Sequence, residues 1–215
     1  ADGNAVLNIS GNEVQIDTDA TSVDGFTFEG NDEANAITDT GQPENESVVN
    51  NEFRNYTSTV VGLNPGDGDG NDQVTTIDNN VFSEGITGDA VEIDLGTAVN
   101  NNGVDRAEIT NNDITLAGNA DAIATTGSNN NLNVTVGDGN SIEGNENDVT
   151  GVNLGGDIGG DLVVQGTTIN ATDVGIDATP ISGELNISSV EITNLGQGTN
   201  DAGVQAPNSD VEITG

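Results

Sequence analysis

Residues 64–74 read NPGDGDGNDQV and place three Asp within seven positions, directly before the β-forming run VTTI. Oxygen donors spaced this way are what a hard cation such as calcium takes. The candidate ligands are Asp67, Asp69, Asn71 and Asp72, with calcium as the only cofactor the sequence suggests. A second chemistry needs two carboxylates a few ångströms apart, one of them holding a proton, as in glycoside hydrolysis. Asp89, Glu92 and Asp94, with Asp121 and Asp148 on following repeats, are the acids that could supply it. The competing reading of both features is structural: an acidic turn, and an Asp that caps the backbone once per repeat.

Two calcium templates bear on the loop. Asp67, Asp69 and Asn71 follow the start of an EF-hand loop, but Asp72 stands where its turn glycine belongs and no helical pattern flanks it. The nonapeptide of calcium-binding β-rolls fits DGDGNDQVT better, with Asp67 in place of the first Gly, although only one copy is present. GDGNSI at 137–142 is a weaker echo.

Composition removes most other chemistry. The 215 residues include 37 acidic and two basic side chains, Arg54 and Arg106, for a net charge of −35. Nothing here neutralises phosphate, which argues against nucleic acid and against an anionic membrane surface as partners. Such a charge is tolerated best where salt screens it, which points to a saline setting. There is no Cys and no His, so disulfides, thiolate sites and the commonest general base are absent. The two Arg are expected to pair with adjacent acids such as Glu52 and Asp105. The opening ADGNAVL, without Met, reads as a mature exported chain, and six sequons begin at Asn8, Asn45, Asn55, Asn133, Asn170 and Asn186.

The elements that must position these residues come from an internal repeat. SVVNNEF (47–53), TTIDNNVF (75–82), AEITNNDI (107–114), VTVGDGNSI (134–142), LVVQGTTI (162–169) and LNISSVEI (185–192) align, and close on Phe53, Phe82, Ile114, Ile142, Ile169 and Ile192. A second run follows each of the later ones: DAVEIDL, DAIATTG, DVTGVNL, DVGIDAT and DAGVQA. Short strands recurring at this interval, without helical periodicity, predict a solenoid in which like residues stack. Stacked opening acids Asp89, Asp121, Asp148, Asp173 and Asp201 would then form a row along one edge.

The ITNNDI…DAIA and IDNNVF…DAVEI units resemble the right-handed parallel β-helix (pectate-lyase-like) superfamily, in its surface or extracellular type. The resemblance implies an all-β, single-domain right-handed β-solenoid over 1–215, with a looser 1–46, regular repeats over 47–215 and seven to eight coils. A β-sandwich is the alternative. Lyase members of that superfamily use an Arg or Lys base, and neither Arg54 nor Arg106 lies in a matching motif.

With few aromatics to line a sugar cleft and no capping helix in the pattern, the expectation is a non-enzymatic structural subunit of an extracellular or cell-surface filament. It would stack end to end with copies of itself. The alternative is a carbohydrate-binding or -cleaving β-helix, such as a viral tail fibre or adhesin segment, with glycans as partners.

Overall fold

A computed structural model describes residues 5–8, 14–30, 35–39, 45–65, 74–83, 85–97, 105–129, 132–144, 149–170, 173–178, 183–195, 202–206 and 211–214. All the regular structure among them is β-strand. The chain visits three sheets in turn and returns to the first, one place further along. The first sheet runs Ala5–Asn8, Phe26–Glu29, Glu52–Arg54, Val81–Ser83, Asp113–Leu116, Ser141–Gly144, Thr168–Asn170, Glu191–Thr193. The second runs Val14–Ile16, Ile37–Asp39, Val61–Leu63, Val91–Thr97, Asp121–Asn129, Thr150–Leu154, Val174–Asp177, Ala202–Gln205, with Asp157–Ile158 beside Asp121–Asn129. The third runs Ser22–Asp24, Ser47–Val49, Val74–Asp78, Asp105–Thr110, Leu132–Val136, Leu162–Gln165, Leu185–Ser188, Val211–Thr214. This is a right-handed β-solenoid, the hand that twisted parallel strands favour in their crossovers. Every registered strand pair is parallel, which is incompatible with the alternative β-sandwich.

Strands this short alternate one or two inward residues with outward ones, so the core consists of columns running along the axis. In the first sheet Phe28, Phe53, Phe82, Ile114, Ile142, Ile169 and Ile192 stand in register. Phe28 stacks on Phe53 at 5.0 Å and 14°, and Phe53 on Phe82 at 4.9 Å and 21°. The spacing is that of adjacent strands, so the rings inherit their stacking from the backbone. The second sheet contributes the column Val61, Val91, Ile123, Val152, Ile176 and Val204. The third contributes Val23, Val48, Ile77, Ile109, Val136, Val164 and Ile187.

The passage from third to first sheet takes two residues in most coils. The outer one is left-handed, with φ 58° at Asn50, 55° at Asn79 and 53° at Asn111, a conformation Asn tolerates well. The inner one turns its side chain into the wall. Each buried amide oxygen accepts from the neighbouring coil's backbone N–H: Asn51 to Asn80 at 2.9 Å, Asn80 to Asn112 at 3.0 Å, Asn112 to Asn140 at 3.0 Å. The amide nitrogens of Asn51, Asn80, Asn112 and Asn140 donate the other way, to the carbonyls of Val23, Val48, Ile77 and Ile109. Buried polar corner residues continue through Thr167, so the turns sharing this cross-section are five: Asn51, Asn80, Asn112, Asn140 and Thr167. The stretch of regular cross-section is thus shorter than the seven to eight coils expected. It gives way at Gly25 on one side and at half-buried Val190 on the other, where the ladder residue is replaced.

Asn80→Ala leaves the Val48 carbonyl and the Asn51 N–H without partners inside the wall. It should lower stability by about 2–4 kcal/mol, from two orphaned buried groups, measured by urea unfolding in high salt.

Candidate functional site

The row of opening acids is broken up by the register. Val91 stands beside Ile123, which sets Asp89 level with Asp121. The next residues at that level are Thr150, Val174 and Ala202. Asp173 falls one place earlier, where its N–H donates to the Val149 carbonyl at 2.9 Å. Asp148 and Asp201 lie outside the described residues. The alignment by opening Asp fails because the apolar columns, and not the turn, fix the register. Of the two acids that do stack, Asp89 serves the backbone, its Oδ1 accepting the Asp121 N–H at 2.8 Å, and Asp121 holds a side chain, its Oδ2 accepting from the Asn153 amide at 2.6 Å. Burial raises the pKa of Asp89; the Asp121 N–H opposes the rise, and the charges of Asp121 and Glu92 add to it.

The outer face of the second sheet carries a cleft of about 220 Å³, lined by Thr38, Asp39, Thr59, Glu92 and Asp94 among others. Gly62 forms its floor between Thr38 and Glu92, and a Cβ there would touch only the Thr59 methyl, at 3.5 Å. The half-buried Glu92 is fixed by two hydroxyl donors, Thr59 at 2.9 Å and Thr126 at 3.0 Å. Asp94 is exposed. Asp39, at the end of Ile37–Asp39, accepts the Asn64 N–H. Its pKa is pushed up to about 6, mainly by burial, opposed by that N–H and reinforced by Asp94. A carboxyl holding its proton into mildly acid pH beside an acceptor can hydrogen-bond a neutral polyol. Of the acids anticipated, Glu92 and Asp94 share this cleft, and Asp89 and Asp121 do not line it.

The four calcium candidates Asp67, Asp69, Asn71 and Asp72 lie outside the described residues. Among the described residues no three acidic side chains come together as metal ligands. Arg54 pairs with Glu52, its Nε at 3.0 Å from Oε1, as adjacent charges on one short strand dictate. Arg106 is exposed on the third sheet. Of the sequons, Asn45 and Asn55 are exposed. Asn45 accepts the Val74 N–H, and Asn55 donates to Glu29. Asn133, Asn170 and Asn186 are half-buried and tied to neighbouring groups. Asn8 belongs to Ala5–Asn8, and its side chain is not among those described.

Two acids escape a reading by motif: Asp39 and Glu46. The signal for them was parity. Glu46 lies two residues before the core residue Val48, hence on the same face, and it is 1% exposed.

No protein-family model matches this chain, and no curated protein or solved structure matches it significantly.

In a carboxyl-carbon NMR titration Asp39 should titrate near pH 6, well above its ordinary 3.8. Asp94→Asn should lower that midpoint part of the way, because it removes a like charge and leaves the burial in place.

Proposed function

We propose that this chain is a non-enzymatic structural subunit of an extracellular or cell-surface filament in a saline setting, stacking end to end with copies of itself. On this reading it is a surface-type member of the pectate-lyase-like β-helices. The observation that carries it concerns the walls. In every registered pair of neighbouring strands, no acidic residue faces another acidic residue. A hydrolytic or metal site gathers carboxylates, whereas a stacking wall must keep them apart.

Two further features fit. Val81, at 39%, is the one large hydrophobic exposed among the described residues, so the sides offer little to an apolar partner. The inward residues Ile192, Val204 and Ala206 are half-buried and pack against the core, which continues the apolar columns through the last described coil. On this reading a coil of one copy stacks on a coil of the next and pairs its strand edges, a head-to-tail contact that propagates.

Electron microscopy in roughly 1 M salt, where the Debye length is about 3 Å, should show uniform fibres that shorten or vanish at low ionic strength. Val204→Asp should abolish the fibres while leaving the circular dichroism of the protein unchanged. Isolated short rods at every salt and calcium concentration would overturn the filament.

A second reading, glycan binding, is favoured by the Asp39–Asp94 cleft. It would replace the first if soluble oligosaccharides bound the protein and Asp39→Asn removed that binding.

A further inference from the structure

Asp39 ends a strand of the second sheet and Glu46 immediately precedes the next strand of the third; both are in phase with core residues of their strands, Asp39 half-buried at the rim of the outer cleft and Glu46 buried. Asp39 is level with Ile16, which is 2% exposed, and Glu46 enters the wall just before Ser47–Val49. No hydrogen bond of normal geometry reaches either carboxyl oxygen of Glu46. One coil back lies Thr21, whose carbonyl accepts the Ser47 N–H at 2.9 Å. One coil on lies the buried Thr75, whose hydroxyl eases the carboxyl slightly. The ionisable groups that act on it are Asp39 and, from the turn before Ser22–Asp24, Asp19. Of the two basic residues in the chain, Arg54 is engaged with Glu52 on the first sheet and Arg106 is exposed on the outside of the third.

A carboxylate here would be a buried negative charge among negative neighbours, with no donor of good geometry to offset desolvation. We propose that Glu46 is a proton-binding site within the wall, and that the start of the strand Ser47–Val49 is held against its neighbouring coils by a bound proton and loosens in mildly alkaline water. Burial pushes Glu46 up to about 8, and the charges of Asp39 and Asp19 reinforce the shift. When the start of that strand opens to water its carboxyl returns towards 4.5. Closing therefore takes up a proton. The stabilisation is complete below pH 4.5, declines as pH rises, and is exhausted once pH passes about 8. A one-proton linkage changes the opening equilibrium about tenfold per pH unit across that interval.

The Ser47 and Thr76 amides report the strands around Glu46 directly, since they bond the Thr21 and Glu46 carbonyls at 2.9 Å each. Hydrogen exchange in high salt, corrected for intrinsic rates, should show their protection falling about tenfold per unit from pH 6 to 8. The Val134 and Leu162 amides, bonded to the Asp161 and Glu184 carbonyls further along the same sheet, should show no such slope. Glu46→Gln, which mimics the protonated form, should remove the slope at Ser47 and Thr76. Carbon NMR of the wild-type Glu46 carboxyl decides the question without any variant, should that one fail to fold. A midpoint near 4.5, a protection loss shared equally by all four amides, or a slope that survives in Glu46→Gln overturns the proposal. So does calcium restoring protection at pH 8 in the wild type alone, which would make a metal ion the counter-charge.

Discussion

Everything in this molecule depends on parallel pairing in register from one coil to the next. A coil of three short strands cannot pair its own backbone, so its N–H and C=O groups must find the coils on either side, about 4.8 Å away. That spacing leaves no room for a side chain to choose its neighbour: each meets the residue at its own level, twice. Phe28, Phe53 and Phe82 stack because the backbone puts them there, and the ladder from Asn51 to Asn140 is the polar form of the same rule. An amide offers two donors as well as an acceptor, so it can bond a copy of itself and a backbone carbonyl at once. Asn can therefore fill a buried corner level after level, whereas an ionised Asp has no donor and a hydroxyl has only one.

That rule made the architecture readable from sequence. The Asn pairs mark a corner needing one left-handed residue and one self-complementary buried one, and few other pairs meet both demands. The residues closing each repeat, from Phe53 to Ile192, stand in one column for the same reason. What did not transfer was any alignment made on turn residues. The opening Asp of each second run lies at a variable distance from the preceding column, and pairing follows Val91, Ile123, Val152 and Ile176 instead. The connection absorbs the difference, so Asp121 finds Thr150 at its level.

The candidate sites were harder to read, and the reason is abundance. With 37 acids among 215 residues, a carboxylate near another in sequence carries almost no information. Position relative to the pleat carries more. Asp39 and Glu46 look like any other acids in the string, yet they alternate in phase with Ile37 and Val48, which puts them on the core side. Glu92 and Asp94 alternate out of phase with Ile93 and Leu95 and line the outside. Parity against the nearest apolar column separates acids that face solvent from acids that must be neutralised, and it requires knowing the strands first.

The same constraint explains the Asn and Thr that accompany so much Asp and Glu. Like types stack in the core, but like charges stacked at strand spacing would repel along the whole rod. Basic residues are the usual remedy, and the chain has only two. Here the remedy is interleaving. Asp24 accepts from Asn50, Asp78 from Thr110 and Asn111, Glu92 from Thr59 and Thr126, and Asp121 from Asn153, each donor on a neighbouring coil. Where no bond forms, the register still sets an acid between neutral partners, as with Glu108 between Thr76 and Thr135 or Glu143 between Thr115 and Asn170. Amides and hydroxyls donate to a carboxylate at little cost in charge, and these bonds do not weaken in salt as ion pairs do. A wall built this way keeps its net charge, and with it its repulsion of other walls, while each rung remains compatible with the next. Repulsion sideways and compatibility lengthwise are the two properties that the proposed filament would use.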